Sequence, residues 1–135
     1  MDYSKLVDGK RVFVTTGARG IGKEIALLMA RQGAVVAVGG KNLPKLEETV
    51  QELQKLSPKS KGYNLNLALE ENINAVCRQI VDDFSGIDIL VNTVGINVHG
   101  KIHEYDSETL DLLIRTNYKS GLICAQHFLP GMIER

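Results

Sequence analysis

Two kinds of apolar pattern alternate along this chain. Short continuous apolar runs are typical of strands buried in a sheet, whereas apolar residues spaced three and four positions apart are typical of amphipathic helices. The first pattern predicts strands at residues 11–15, 34–38, 61–67 (the weakest) and 87–91. The second predicts helices at residues 21–31, 43–56, 70–84 and 107–135, the last with a kink near Gly121.

The regular alternation of strand and helix predicts the class of fold. It indicates an α/β fold in which right-handed crossovers build a parallel sheet with helices on both faces. Residues 1–135 contain no repeat, low-complexity tract or linker. We therefore expect a single domain.

The junction between the first strand and the first helix is rich in glycine. Gly17, Gly20 and Gly22 follow a β-branched run and directly precede the apolar-periodic helix. Backbone N–H groups and the helix dipole point toward an anion in such a turn, so the segment predicts a dinucleotide phosphate site. A tight turn that serves only strand–helix packing is the alternative. No Gly-Lys-Ser/Thr follows, so the segment is not a Walker loop.

Composition and charge exclude several other classes. Sixteen basic and sixteen acidic residues cancel, which favours neither a nucleic acid nor an acidic membrane as partner. No apolar run approaches membrane-spanning length, and we expect a cytoplasmic protein. Cys77 and Cys124 lie in helical patterns and are expected to be buried free thiols. His99 and His103 flank Gly100 without an evident third ligand, so no metal site is predicted.

Several segments together resemble the short-chain dehydrogenase/reductase family, and the resemblance covers the whole chain. Segment 15–22 is similar to the family's Thr-Gly-x-x-x-Gly-x-Gly turn, with Thr16 where the first glycine stands. Segment 92–95 is similar to its Asn-Asn-Ala-Gly motif, with Thr93 and Val94 as departures. The resemblance implies a Rossmann-type fold, truncated here after the fourth strand and the long helix that follows it. This domain would be the incomplete, cofactor-binding portion of such a protein.

The resemblance also assigns roles to individual residues. The implied cofactor-binding residues are Thr16, Gly17, Arg19, Gly20, Ile21, Gly22, Lys41, Asn66, Leu67 and Asn92, and the implied catalytic residue is Asn117. The turn would hold the phosphates, with Gly17 absorbing any positive φ that Thr16 imposes. Asn66 and Leu67 stand where the family has Asp-Val and would face adenine, while Asn92 would face the adenosine ribose. Asn117 would hold a proton-relay water, with a helix-kink residue as the alternative.

The end of the second predicted strand bears on the choice of nicotinamide cofactor. NAD-binding sheets usually place a carboxylate there to hold the ribose hydroxyls, but residues 38–42 contain none. Lys41 and Arg19 would attract a 2′-phosphate instead. We therefore expect NADP(H) rather than NAD(H). A solvated lysine before a helix cap is the alternative for Lys41.

The family's proton donor is absent from these residues. The tyrosines at 3, 63, 105 and 118 are followed four positions later by Val, Leu, Thr and Leu, so no Tyr-x-x-x-Lys occurs. The family resemblance implies hydride transfer between nicotinamide and a carbonyl or secondary alcohol, and we expect the 135 residues alone to be inactive. A non-catalytic nucleotide-binding or interaction module is the alternative.

Two explanations are open for the missing segment. The chain is a piece of a longer oxidoreductase, or it is a natural short form that pairs its open sheet edge with another chain. A small-molecule substrate and a homo-oligomer are expected. With partners missing on one side, the last helix is expected to leave four apolar side chains poorly covered, namely Leu122, Ile123, Phe128 and Met132.

Overall fold

The computed structural model describes residues 6–135, so Tyr3 lies outside the described part. Four parallel strands form one sheet in the order β3-β2-β1-β4. The strands are β1 (Arg11–Val14), β2 (Val35–Gly40), β3 (Lys61–Asn64) and β4 (Ile89–Val91). The predicted parallel α/β architecture of the Rossmann type is therefore confirmed.

Within the described part of the chain, five α-helices connect and cover the strands. They are α1 (Gly20–Arg31), α2 (Leu43–Leu56), α3 (Glu70–Phe84), α4 (Ser107–Ile114) and α5 (Ser120–Glu134). A π-helical turn, Arg115–Lys119, joins α4 to α5, and a short 3-10 turn spans Ile102–Glu104. Among residues 6–135, no helix is both long and apolar enough to cross a membrane.

Alternation along β1 divides the interior into two cores. Val12 and Val14 point to one face of the sheet, where the buried apolar residues of α1 and α2 pack. Phe13 points to the other face and meets Phe128 of α5 edge to face, with ring centroids 5.6 Å apart. Because β1 is buried on both faces, its apolar run is continuous.

The largest differences from the sequence prediction lie at the end of β3 and in the last helical stretch, while the other strand ends shift by one or two residues. The third strand ends at Asn64 instead of residue 67, because Asn66 turns the chain by accepting a hydrogen bond from the Ala68 amide at 3.0 Å. The last helical stretch is interrupted at Arg115–Lys119 and not at Gly121. The Asn117 side chain binds the backbone of Ile96 at this interruption, so a tertiary contact accompanies the wide turn.

The expected exposure of the last helix is wrong for two of the four residues. Ile123 is 7% and Phe128 is 2% exposed, because α5 packs on α3 and on Phe13. Leu122 is 50% exposed, as expected, and Met132 is half-buried. The homo-oligomer stays a prediction.

The two cysteines meet in the core between α3 and α5. Cys77 and Cys124 are 47 positions apart in the sequence, yet their sulfurs lie 3.9 Å apart. Both are buried free thiols, which confirms the prediction.

An ion pair joins the beginnings of β1 and β4. The Arg11 guanidinium donates to both carboxylate oxygens of Asp88, at 2.7 and 2.9 Å, and the Arg11 amide donates to the same carboxylate at 2.9 Å. These hydrogen bonds hold the pKa of Asp88 well below its ordinary value of 3.8. The carboxylate therefore stabilises the fold in its charged form.

Removing this carboxylate should destabilise the protein in a pH-dependent way. Asp88→Asn should lower the free energy of unfolding at pH 7 by about 2 kcal/mol, since charge-assisted hydrogen bonds are lost. Because the folded-state pKa is lowered, the wild-type advantage is complete above about pH 5 and declines as the pH falls below about 4. Urea unfolding at pH 7, 5, 3 and 2 measures both effects.

A matched control is Asp82→Asn, which changes an exposed carboxylate of α3 that has no ion pair within residues 6–135. It should alter the unfolding midpoint little at any pH. An Asp88→Asn deficit that is the same at pH 7 and pH 2 would contradict the role given to the charge.

Candidate functional site

The carboxyl ends of the four strands bring the candidate residues to one edge of the sheet. The glycine-rich turn follows β1, Lys41 follows β2, Asn66 and Leu67 lie just beyond β3, and Asn92 follows β4. Because all four strands are parallel, these segments share the edge at which open α/β sheets bind ligands.

The turn after β1 depends on close backbone packing. The Gly17 amide donates to the Gly39 carbonyl at 2.8 Å, which ties the turn to the end of β2. A Cβ at Gly17 would lie 2.8 Å from Cγ1 of Val38, and a Cβ at Gly22 would overlap the Thr16 carbonyl oxygen. Both glycines are required by space.

Backbone conformation singles out a different glycine of the turn. Gly20 has φ +60°, in the left-handed region that favours glycine, and is the residue at which the chain enters α1. Gly17 has no positive φ, so the expectation that it absorbs one is wrong. Its role is the close approach to Val38.

The N-terminus of α1 is free to receive an anion. Arg19 occupies its N-cap position without a side-chain cap, and the first turn contains no acidic residue. By contrast, Asn42 caps α2 and Asp106 caps α4, each accepting a backbone N–H. The unpaired N–H groups and the positive end of the α1 dipole therefore lie open at the ligand edge.

Two cationic side chains lie at the corner between this turn and β2. Ala18 packs against the end of β2 so closely that a Cβ at Gly40 would lie 2.9 Å from its own. Arg19 and Lys41 are the next residues on the two segments; both are exposed, and neither forms an ion pair within residues 6–135. Thr49 fixes the corner by donating to the Ala18 carbonyl at 2.9 Å. The corner therefore presents two free positive charges beside the open helix end.

The segment beyond β3 offers fewer side-chain groups to a ligand than the resemblance implies. The Asn66 side-chain oxygen accepts from the Ala68 backbone amide, and the Asn66 backbone amide donates to the Asn72 side-chain oxygen at 2.6 Å. The Leu67 side chain is buried in the core. Any contact of Leu67 with adenine must therefore come from its backbone.

Thr93, in the loop after β4, contacts the glycine turn directly. The Thr16 hydroxyl donates to the Thr93 carbonyl at 2.6 Å, and the Thr93 hydroxyl donates to the Thr16 carbonyl at 3.0 Å. Sequence reasoning identified Thr93 as a departure from the family motif but not as a site residue. The only signal was that positions 16 and 93 depart together.

The two remaining candidate asparagines, Asn92 and Asn117, have different contacts. The side chain of Asn92 is exposed and lies over Gly121 of α5, where a Cβ would come within 3.1 Å of its amide nitrogen. Asn117 accepts from the Ile96 amide at 2.7 Å and donates to the Ile96 carbonyl at 2.9 Å. The Asn117 side chain is thus engaged in fixing the loop.

An apolar surface extends from the turn along the outer side of α1. Ile21 is 78% exposed and, with Ile25 and Leu28, lines an open hollow of about 570 Å³. Ile21 belongs to the turn by its backbone, whereas its side chain lies on the outer side of α1 with Ile25 and Leu28.

A parallel α/β sheet with a glycine turn and an open helix N-terminus at its carboxyl edge defines the class of nucleotide-binding Rossmann-type folds. A family model for short chain dehydrogenase matches residues 10–135. The chain belongs to the short-chain dehydrogenase family.

Relatives and solved structures agree with this membership. The chain is 32% identical over 129 residues to the uncharacterized oxidoreductase YxbG of Bacillus subtilis, covering 95% of this chain and 47% of that protein. It is 33% identical over 129 residues to the 3-oxoacyl-(acyl-carrier-protein) reductase FabG of Thermotoga maritima, covering 96% of this chain and 52% of that protein.

The crystal structure of L-sorbose reductase from Gluconobacter frateurii, complexed with NADPH and L-sorbose, superposes with a TM-score of 0.90 at 27% identity. The match covers 96% of this chain and 49% of the reductase. The chain therefore spans about half the length of these matched proteins.

The space requirement at Gly22 can be tested without a ligand. Gly22→Ala should lower the free energy of unfolding by about 1 to 3 kcal/mol, since the added methyl overlaps the Thr16 carbonyl and the turn must move. Gly95→Ala is the matched control, because a Cβ there meets nothing within 4 Å. Urea denaturation of both variants measures the difference, and equal midpoints would refute the packing described here.

Proposed function

We propose that this chain is the cofactor-binding portion of an NADP(H)-dependent oxidoreductase that transfers a hydride between nicotinamide and a carbonyl or secondary alcohol. Family membership supports the reaction class. The observation that carries the cofactor assignment is the corner of Arg19 and Lys41, with no carboxylate at the end of β2.

The residues of the ligand edge fit a phosphorylated dinucleotide. The glycines leave room for a pyrophosphate at the open N-terminus of α1, which supplies N–H donors and a positive dipole end. Arg19 and Lys41 lie beside this helix end and would attract a 2′-phosphate. The acidic residue that NAD sites usually have at the end of the second strand would repel it. In this assignment Asn66, Leu67 and Asn92 line the adenosine side.

Bound NADPH supplies the hydride, and this chain's residues hold and orient the cofactor. The Asn117 side chain uses one N–H and one lone pair of its oxygen on Ile96, which leaves its second N–H for the proton-relay water that the family resemblance implies. The general acid, a tyrosine assisted by a lysine in this family, has no Tyr-x-x-x-Lys counterpart in the 135 residues. We therefore assign cofactor binding, and not the proton transfer, to these residues.

Cofactor preference tests the proposal. Wild-type protein should bind NADPH about tenfold more tightly than NADH, because the 2′-phosphate gains contact with two cations. Lys41→Glu should abolish this preference by replacing one cation with a repelling carboxylate. Fluorescence titration with both cofactors measures the dissociation constants.

The control is Lys59→Glu, which makes the same charge change in the exposed turn that precedes β3, on the opposite edge of the sheet. It should leave the NADPH preference in place. Tighter binding of NADH by the wild type, or equal effects of the two substitutions, would contradict the NADP(H) assignment. Binding of neither cofactor would favour the non-catalytic module, which the departures at Thr16, Thr93 and Val94 suggest.

Turnover provides a separate test. The 135-residue protein should bind NADPH without oxidising it when small aldehydes and ketones are added, since no tyrosine–lysine pair is present to donate the proton. The decrease in absorbance of NADPH follows the reaction. Carbonyl-dependent oxidation that disappears in Gly22→Ala would contradict the expected inactivity.

A further inference from the structure

The contacts between Thr16 and Thr93 form a closed pair. Each hydroxyl has one proton and lies within hydrogen-bond distance of the backbone carbonyl of the other residue, at 2.6 and 3.0 Å, and the two hydroxyl oxygens lie 2.9 Å apart. The Thr16 amide donates to the Thr93 hydroxyl oxygen at 3.2 Å. Both hydroxyl protons are therefore used in crossing between the two loops.

These bonds continue the pairing of β1 with β4 beyond the ends of both strands. The backbone ladder ends where Val14 pairs with Val91. The Thr15 amide then donates to the Val91 carbonyl at 3.0 Å, and the Thr93 amide donates to the Thr15 hydroxyl at 3.0 Å. The side chains of Thr15, Thr16 and Thr93 thus form hydrogen bonds between the two segments, as main-chain groups do within the sheet.

The pair also acts on the tightest contact of the glycine turn. The Thr16 carbonyl, which accepts the Thr93 hydroxyl, is the group against which Gly22 packs. The Thr93 hydroxyl oxygen lies 3.1 Å from the position that a Cβ at Gly22 would take. A shift of Thr93 therefore reaches the first turn of α1, where the phosphate would bind.

We propose that Thr16 and Thr93 are one positioning unit that locks the phosphate turn to the loop after β4. The two hydroxyl oxygens also lie 2.9 Å apart, so each hydroxyl contacts the other side chain as well as a backbone carbonyl, and loss of either hydroxyl changes the bonds open to the other. The two loops then move together. The consequence for cofactor affinity rests on the proposed NADP(H) site, whereas the pairing itself does not.

The pairing is tested by a double-mutant cycle without cofactor. Thr16→Val and Thr93→Val keep the side-chain shape and remove the hydroxyl. Each single variant should lower the urea midpoint, and the double variant should lower it by little more than the larger single effect. Thr93→Ser, which keeps the hydroxyl, should restore most of the loss. Thr116→Val serves as the control, because the Thr116 hydroxyl has no hydrogen-bond partner within residues 6–135.

The positioning role is tested by NADPH titration of the same variants. Each valine variant should weaken NADPH binding by about tenfold, and the double variant by about tenfold rather than a hundredfold. Thr93→Ser should bind nearly as well as the wild type. Such rescue separates the hydroxyl contacts from a general loss of folding, because all variants are titrated under conditions where they remain folded.

The outcomes separate the two proposals. Additive losses in both measurements would overturn the single unit. A non-additive loss of stability with unchanged NADPH affinity would overturn the positioning role. Wild-type protein that binds neither NADPH nor NADH would refute the proposed function, and the unfolding cycle would then decide on the pair by itself.

Discussion

The close approach of Gly22 to the Thr16 carbonyl is the contact on which the ligand edge depends. It lets the chain leave β1, reverse direction and begin α1 within a few residues. The same turn is held to β2 through the Gly17 amide and to β4 through Thr16. Because β1 lies between β2 and β4, a displacement of the turn would disturb its contacts with both neighbouring strands.

The geometry of this turn also determines the electrostatics. A helix N-terminus attracts an anion only when its N–H groups are not already satisfied, and α1 is uncapped where α2 and α4 are capped. The position of Arg19 and Lys41 follows from the contact between Ala18 and Gly40, which brings the two segments together. Packing of small residues thus places two cations beside a free helix end, and neither cation forms an ion pair within residues 6–135.

Much of the fold could be predicted from the sequence, and less of the site. Apolar periodicity was sufficient for the order of strands and helices, because both faces of the sheet are buried and α3 has a regular apolar face. The early end of β3 and the π-helical turn could not be predicted this way. Each accompanies a side chain that binds backbone: Asn66 holds a local turn, and Asn117 reaches a loop 21 positions away.

Prediction of the site from the sequence was limited in the same way, because side-chain contacts could not be foreseen. Glycine spacing identified the turn, but it did not distinguish a glycine needed for space, such as Gly17, from one needed for φ, such as Gly20. The pairing of Thr16 with Thr93 joins positions 77 residues apart, and each residue by itself looks only like a loss of the motif. The effect of a substitution in a motif can therefore be assessed only together with the contacts that the new side chain makes.

The loop after β4 has little regular structure, yet it is fixed at two points. Thr93 holds its beginning to the glycine turn, and the paired hydrogen bonds of Asn117 hold Ile96 to the π-helical turn. Because Asn117 accepts one hydrogen bond from Ile96 and donates one to it, it restrains the backbone of Ile96 much as a neighbouring strand would. The loop is therefore positioned by the glycine turn and by the π-helical turn that contains Asn117. A change at either support would shift the loop without altering any residue of the loop itself.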